Sequence, residues 1–126
     1  MRKNLYAQLY VFGSRDEAEV RGQVVTALQC TFDEEFAKSD TYGTITWFSS
    51  VFGFEVMFQR QSRQDDGAWY VVNVGPEIDV MDHDAPMEEM NFHLAQVLRA
   101  GGFEQIVTLE EYKAHHHRPE PAQADA

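Results

Sequence analysis

The spacing of apolar positions changes several times along this chain, and each change marks an element. Over Asn4–Phe12, Leu5, Ala7, Leu9 and Val11 alternate with Tyr6, Gln8, Tyr10 and Phe12. That period of two predicts a strand with one apolar and one amphipathic face, closed by Gly13. Val20, Val24, Val25 and Leu28 then recur at helical spacing, which predicts a helix from about Arg15 to Gln29. Ser14-Arg-Asp-Glu17 in front of it has the pattern of a capping box. Asp16, Glu17 and Glu19 suit the positive end of its dipole. Cys30–Gly43 shows no period; an extension of the helix, a short strand and a loop all fit it.

Alternation returns over Thr44–Ser50 and Phe52–Gln61, where Phe54, Val56 and Phe58 interleave with Glu55, Met57 and Gln59. Gly53 between the two runs marks a bulge or a tight connection. Asp66-Gly67 is a hairpin-turn dipeptide, and Trp69–Val74 is a bulky, β-branched run, so residues 44–75 predict a three-stranded meander. Met87, Met90, Leu94, Val97 and Leu98 then form a helical stripe. Asp84 as N-cap, Pro86 in the first turn, Glu88 and Glu89 at the positive end and Arg99 at the negative end all agree with a helix here. Gly101 or Gly102 supplies the left-handed cap. Phe103–Val107 predicts a closing strand, and Thr108-Leu-Glu-Glu111 a second capping box that opens a short helix to about His115.

The element order is therefore β-α-β-β-β-α-β with a short C-terminal helix. Hairpin connections favour an α+β two-layer sandwich: a mainly antiparallel sheet of four to five strands with two main helices on one face. Residues 1–114 are expected to form one domain. Residues 115–126, rich in Pro, Ala, Gln and charge without apolar period, are expected to form a flexible tail.

Composition narrows the function classes. The 126 residues, 44% of them hydrophobic, suffice for one domain with a core. Net charge is −11, from 21 acidic and 10 basic residues. A nucleic-acid backbone or an anionic membrane is repelled by such a field, while a basic protein is attracted. Acidity also serves plain solubility. Cys30 is the one cysteine, so no intrachain disulfide forms. No apolar run is long enough for a membrane span. Gln8 interrupts the apolar run at the N-terminus, and no small-x-small cleavage site follows it, so a cytoplasmic protein is expected.

Six carboxylates fall within the thirteen residues 77–89: Glu77, Asp79, Asp82, Asp84, Glu88 and Glu89, with no Lys or Arg among them. Three readings apply: a solvated loop feeding negative charge to a helix start, a surface for a basic protein, or a metal or catalytic site. The last lacks EF-hand spacing, and His83 stands alone as a nitrogen ligand. The lack of Lys and Arg extends from Gln64 to Leu98, whereas a solubilising surface usually mixes signs. Tyr42, Trp47, Phe48, Phe52, Phe54 and Phe58 crowd a second segment. They serve as core and cross-strand pairs or as an exposed aromatic patch. His115–His117 can bind transition metals weakly but has no second cluster to complete a site. Cys30 has no nucleophile signature around it, and phosphate-loop, paired CxxC, HExxH and GxSxG motifs are absent.

The resulting expectation is a non-catalytic acidic protein that masks a basic protein partner, most concretely as an immunity- or antitoxin-like inhibitor of a nuclease or other toxin. Glu77, Asp79, Asp82, Asp84, Glu88 and Glu89 would meet the partner's Lys and Arg, and Trp47 or Trp69 would anchor the centre. No cofactor or metal is expected. In size, charge and α+β layout the chain resembles small acidic bacterial immunity proteins and acidic secretion chaperones. Two other classes stay open: a small enzyme or ligand-binding domain with a pocket between sheet and helices, and a domain that dimerises through an open aromatic sheet face.

Overall fold

The strand that the rest of the molecule is built around is β1 (Asn4–Gly13), whose alternation leaves Ala7, Leu9 and Val11 buried on one face. In the computed structural model, which describes residues 3–77 and 81–116, β1 lies inside a seven-stranded, mainly antiparallel open sheet. The meander is β3 (Ile45–Val51), β4 (Phe54–Gln64) and β5 (Gly67–Pro76). β5 pairs with β1 from Ala7↔Val74 to Gly13↔Ala68. A two-residue strand, β2 (Lys38–Ser39), covers only Thr46 and Ile45 of β3. The sheet order is β2-β3-β4-β5-β1-β6, with β7 also on β1.

The outer edge of β1 is shared. β6 (Met87–Glu89) pairs parallel to Asn4–Tyr6, and β7 (Ile106–Thr108) pairs antiparallel to Leu9–Val11. Between them, Asn91 Oδ1 accepts from the Gln8 amide at 2.8 Å, and the Tyr6 carbonyl accepts from the Met90 amide at 2.8 Å. Nearly the whole edge thus has partners, which a sheet buried beside helices requires.

Helices α1 (Glu17–Leu28) and α2 (Asn91–Ala100) pack on one face of the sheet. Val20, Val24, Leu94 and Leu98 there join Ala7, Leu9, Val11, Trp47, Val56, Phe58, Tyr70 and Val72 in the main core. The third helix, α3 (Leu109–His116), lies on the opposite face. Its Leu109 and Tyr112 pack on Tyr10, Trp69 and Val71, and the Tyr10 and Tyr112 rings stack 4.2 Å apart. The expectation of helices on one face therefore holds for α1 and α2 and is corrected for α3. The expected four or five strands become seven because the short β2 and β6 add to the edges at β3 and β1.

Helix starts also differ from expectation. Asp16, not Ser14, caps α1, accepting from the Glu19 amide at 2.9 Å. Glu17 is thereby free to reach across to the sheet, with Trp47 Nε1 and Arg60 Nη1 each 3.4 Å from one of its oxygens. α2 begins at Asn91 rather than near Asp84. Met87–Glu89 runs extended instead, because the open backbone of β1 takes it up as a strand, and this pairing outweighs the local helix-start signals. The C-terminus of α2 is as the sequence implies. Gly102, at φ 101°, donates to the Arg99 carbonyl and Phe103 to that of Leu98, a Schellman motif sealed by the buried Leu98 and Phe103. The Thr108–Glu111 capping box forms reciprocally: Glu111 accepts from the Thr108 amide and Thr108 Oγ1 from the Glu111 amide. His115 and His116 belong to α3, so the helix runs into the segment expected as tail. Residues 117–126 lie outside the described residues.

Candidate functional site

The β3–β4 connection is a two-residue turn between Val51 and Phe54. Phe52 has φ 52° and Gly53 φ 84°, the double positive φ that matches the twist of a hairpin. Glycine or asparagine ordinarily fills the first of these places, and a bulky L-residue there costs about 1–2 kcal/mol. Burial does not offset that cost, since Phe52 is 98% exposed. Neither backbone preference nor core packing accounts for a phenylalanine at this tip.

A carboxylate is fastened beside it. The Glu77 amide donates to the Gly53 carbonyl at 2.9 Å, and the Ser50 hydroxyl donates to the Glu77 carboxylate. Glu55, exposed, sits across the ladder from Ser50.

From Asp82 to Pro86 the connector is tied to the start of β1. Asn4 is a buried polar side chain, 5% exposed, and its bonds explain why. Its Nδ2 donates to the Asp82 and Ala85 carbonyls at 2.7 and 3.3 Å, and its Oδ1 accepts from the Asp82 amide at 3.1 Å. Its backbone amide donates to the Pro86 carbonyl at 2.9 Å. Asp82 Oδ1 accepts from the Asp84 amide at 3.1 Å, closing an Asx-turn. The loop is therefore a shaped surface on which Asp84 is exposed and Asp82 half-buried.

The six carboxylates do not act alike. Glu88 lies 2.6 Å from Lys3 Nζ, and Glu89 accepts from the Asn91 amide at the start of α2. Glu77, Asp82 and Asp84 stay at the end of the sheet that carries the Phe52 tip; Asp79 lies outside the described residues. The one-sign stretch of sequence is also divided in space. Asp65 and Asp66 form the β4–β5 turn, at the far end of β5 from Glu77 and roughly 30 Å away at about 3.3 Å per strand residue.

Both tryptophans proposed as anchors are buried, at 5% exposure each, and this corrects their assignment. Trp47 faces the main core with the Arg21 guanidinium 3.9 Å above its ring. Trp69 packs against Phe12 and Tyr112 on the other face. Alternation alone assigns a residue to a face; it does not say that both faces are covered. Among the described residues the exposed aromatics are instead Tyr6, Phe36, Tyr42, Phe52 and Phe92. The signal for Phe52 was the pair Phe52-Gly53 between two strand runs, once their register is known.

Two depressions adjoin the tip. One is a groove of about 860 Å³ between β3 and the segment from Gln29 to Lys38. The other is an apolar cleft of about 220 Å³ between the sheet and α2, lined by Leu28, Phe54, Val74, Leu94 and Val97 among others. Burial pushes the Cys30 thiol pKa up, outweighing its hydrogen bond to Ser49, so the thiolate a nucleophile needs is disfavoured. Burial also raises Tyr10 and Tyr70. Among the described residues no group of three or more His, Cys, Asp or Glu is placed to hold a metal ion, and no helix is long and apolar enough to cross a membrane. No family model, curated protein or solved structure matches the chain.

Proposed function

We propose that this protein binds and masks a basic protein partner, in the manner of an immunity or antitoxin protein. The observation that carries the reading is Phe52: a wholly exposed aromatic in a left-handed backbone position, with Glu77 tied to its turn and Asp82 and Asp84 held beside Asn4 at the same end of the sheet. Aromatic side chains are enriched in interfaces, whose rim is polar. Carboxylates at the same end of the sheet steer a basic surface into place. Phe52 takes the anchoring role first given to Trp47 and Trp69.

The test is capture of a partner with the purified parent, followed by two variants. Asp82→Asn combined with Asp84→Asn and Glu77→Gln is expected to weaken binding at least tenfold and to flatten its dependence on salt. Asp65→Asn with Asp66→Asn, at the far end of the sheet, is expected to leave binding within twofold. A captured partner that is not basic, or equal loss from both variants, overturns the proposal.

The apolar cleft favours a second reading, a domain for a small apolar ligand. Its volume of about 220 Å³ falls below the ~300–1,000 Å³ of ordinary ligand sites. A thermal-shift screen with fatty and aromatic ligands decides it: a rise in melting temperature that Val97→Trp abolishes supports the ligand reading.

A further inference from the structure

The two outer edges of the sheet are treated differently. Short strands and Asn91 cover that of β1, whereas β2 covers β3 only at Ile45 and Thr46. Beyond that point Trp47–Val51 has no strand partner on its outer side among the described residues. An open edge is normally protected by a charge, a proline or a bulge. The sequence Trp47-Phe-Ser-Ser-Val51 has no charge and no proline, and its register with β4 is unbroken.

Space lies alongside. The groove of about 860 Å³ has β3 as one wall and the chain from Gln29 to Lys38 as the other. Asp33, Glu35 and Glu55 line it against one cation, Lys38, which leans toward the Phe48 ring at 6.0 Å. Phe52 is also part of its lining. Five open residues accept a strand about 17 Å long.

Charge selects the occupant. A second copy of this chain, itself at −11, would bring the same three carboxylates against the first. An extended segment carrying Lys or Arg meets them favourably. We propose that the open edge of β3 takes up an extended, basic segment of the partner as an added strand, with main-chain bonds to 47–51 and its cations over Asp33, Glu35 and Glu55. This rests on the basic-partner reading and names the element of the partner that docks.

The test uses the full chain and capped seven-residue peptides. A peptide alternating lysine and valine is compared with forms N-methylated at the valine or at the lysine amides, and with an alternating glutamate–valine peptide. The lysine–valine peptide is expected to slow amide exchange over 47–51 at least tenfold at saturation. One of the two N-methylated forms is expected to bind at least tenfold more weakly. Glu35→Gln with Glu55→Gln, both at exposed positions, is expected to weaken the parent peptide about fivefold.

Binding by both N-methylated forms as tight as the parent, with no change in exchange at 47–51, overturns strand addition and leaves the basic-partner reading intact. Equal protection by the glutamate–valine peptide overturns the basic character of the occupant, and with it that reading, while the edge remains a strand acceptor. No binding of the lysine–valine peptide at millimolar concentration overturns the proposal itself.

Discussion

The two hairpin turns at the ends of β4, roughly 35 Å apart at about 3.3 Å per residue, follow opposite rules. At the β4–β5 end, Asp65 and Asp66 make the turn without positive φ, and the flanking Gly67 is dictated by packing. A Cβ on Gly67 would stand 2.3 Å from the Gly13 carbonyl oxygen and 2.6 Å from the Phe12 ring. At the β3–β4 end the turn requires positive φ, yet its first residue is a phenylalanine that touches no core. One turn is optimised for the fold. The other carries strain and exposed apolar surface that the fold does not use, and this is where function is to be sought.

Three substitutions sharpen the contrast. Gly67→Ala is expected to cost about 3 kcal/mol, the upper part of the range for overpacking, because the clash is with backbone that cannot swing away; urea denaturation reads it as a lower midpoint at unchanged slope. Wild-type stability in this variant would mean that the approach of Gly13 is loose and the contrast is weaker than drawn.

Asn4→Ala is expected to cost about 2 kcal/mol, since the Asp82 carbonyl and amide lose their partner in a partly buried place. Hydrogen exchange at Asp82 should speed up in this variant more than exchange in β4 and β5. A uniform change across the sheet would show that the acidic loop is not held locally.

Phe52→Asn has the smallest expected effect and the opposite sign: a gain of about 0.5–1 kcal/mol, as asparagine tolerates the left-handed region. Thermal unfolding measures it, and partner binding should fall at the same time. Lost stability would place Phe52 in the fold rather than in an interface.

Legibility followed the range of the interactions involved. The strand at Asn4–Gly13, the meander, the Gly102 cap and the Thr108–Glu111 box were readable because period, turn residues and caps act within a few positions. The start of α2 at Asn91 is not legible for the converse reason. Asp84, Pro86, Glu88 and Glu89 all speak for a helix locally, but the β1 backbone claims Met87–Glu89 from more than eighty residues away. The burial of Trp47 and Trp69 is not legible because alternation gives faces, not coverage: α1 covers Trp47 on one face and α3 covers Trp69 on the other. The acidic stretch looked continuous in sequence, but β5 carries its two parts to opposite ends of the sheet.

The sequence by itself determined the class of fold, the order of its main elements and the sign of the charge, all of which follow from local spacing and composition. Tertiary structure alone decided which carboxylates share a surface, which aromatics are exposed and which sheet edge stays open. Those depend on pairing between residues far apart in the chain, where register and edge coverage fix the neighbours and no local pattern records them.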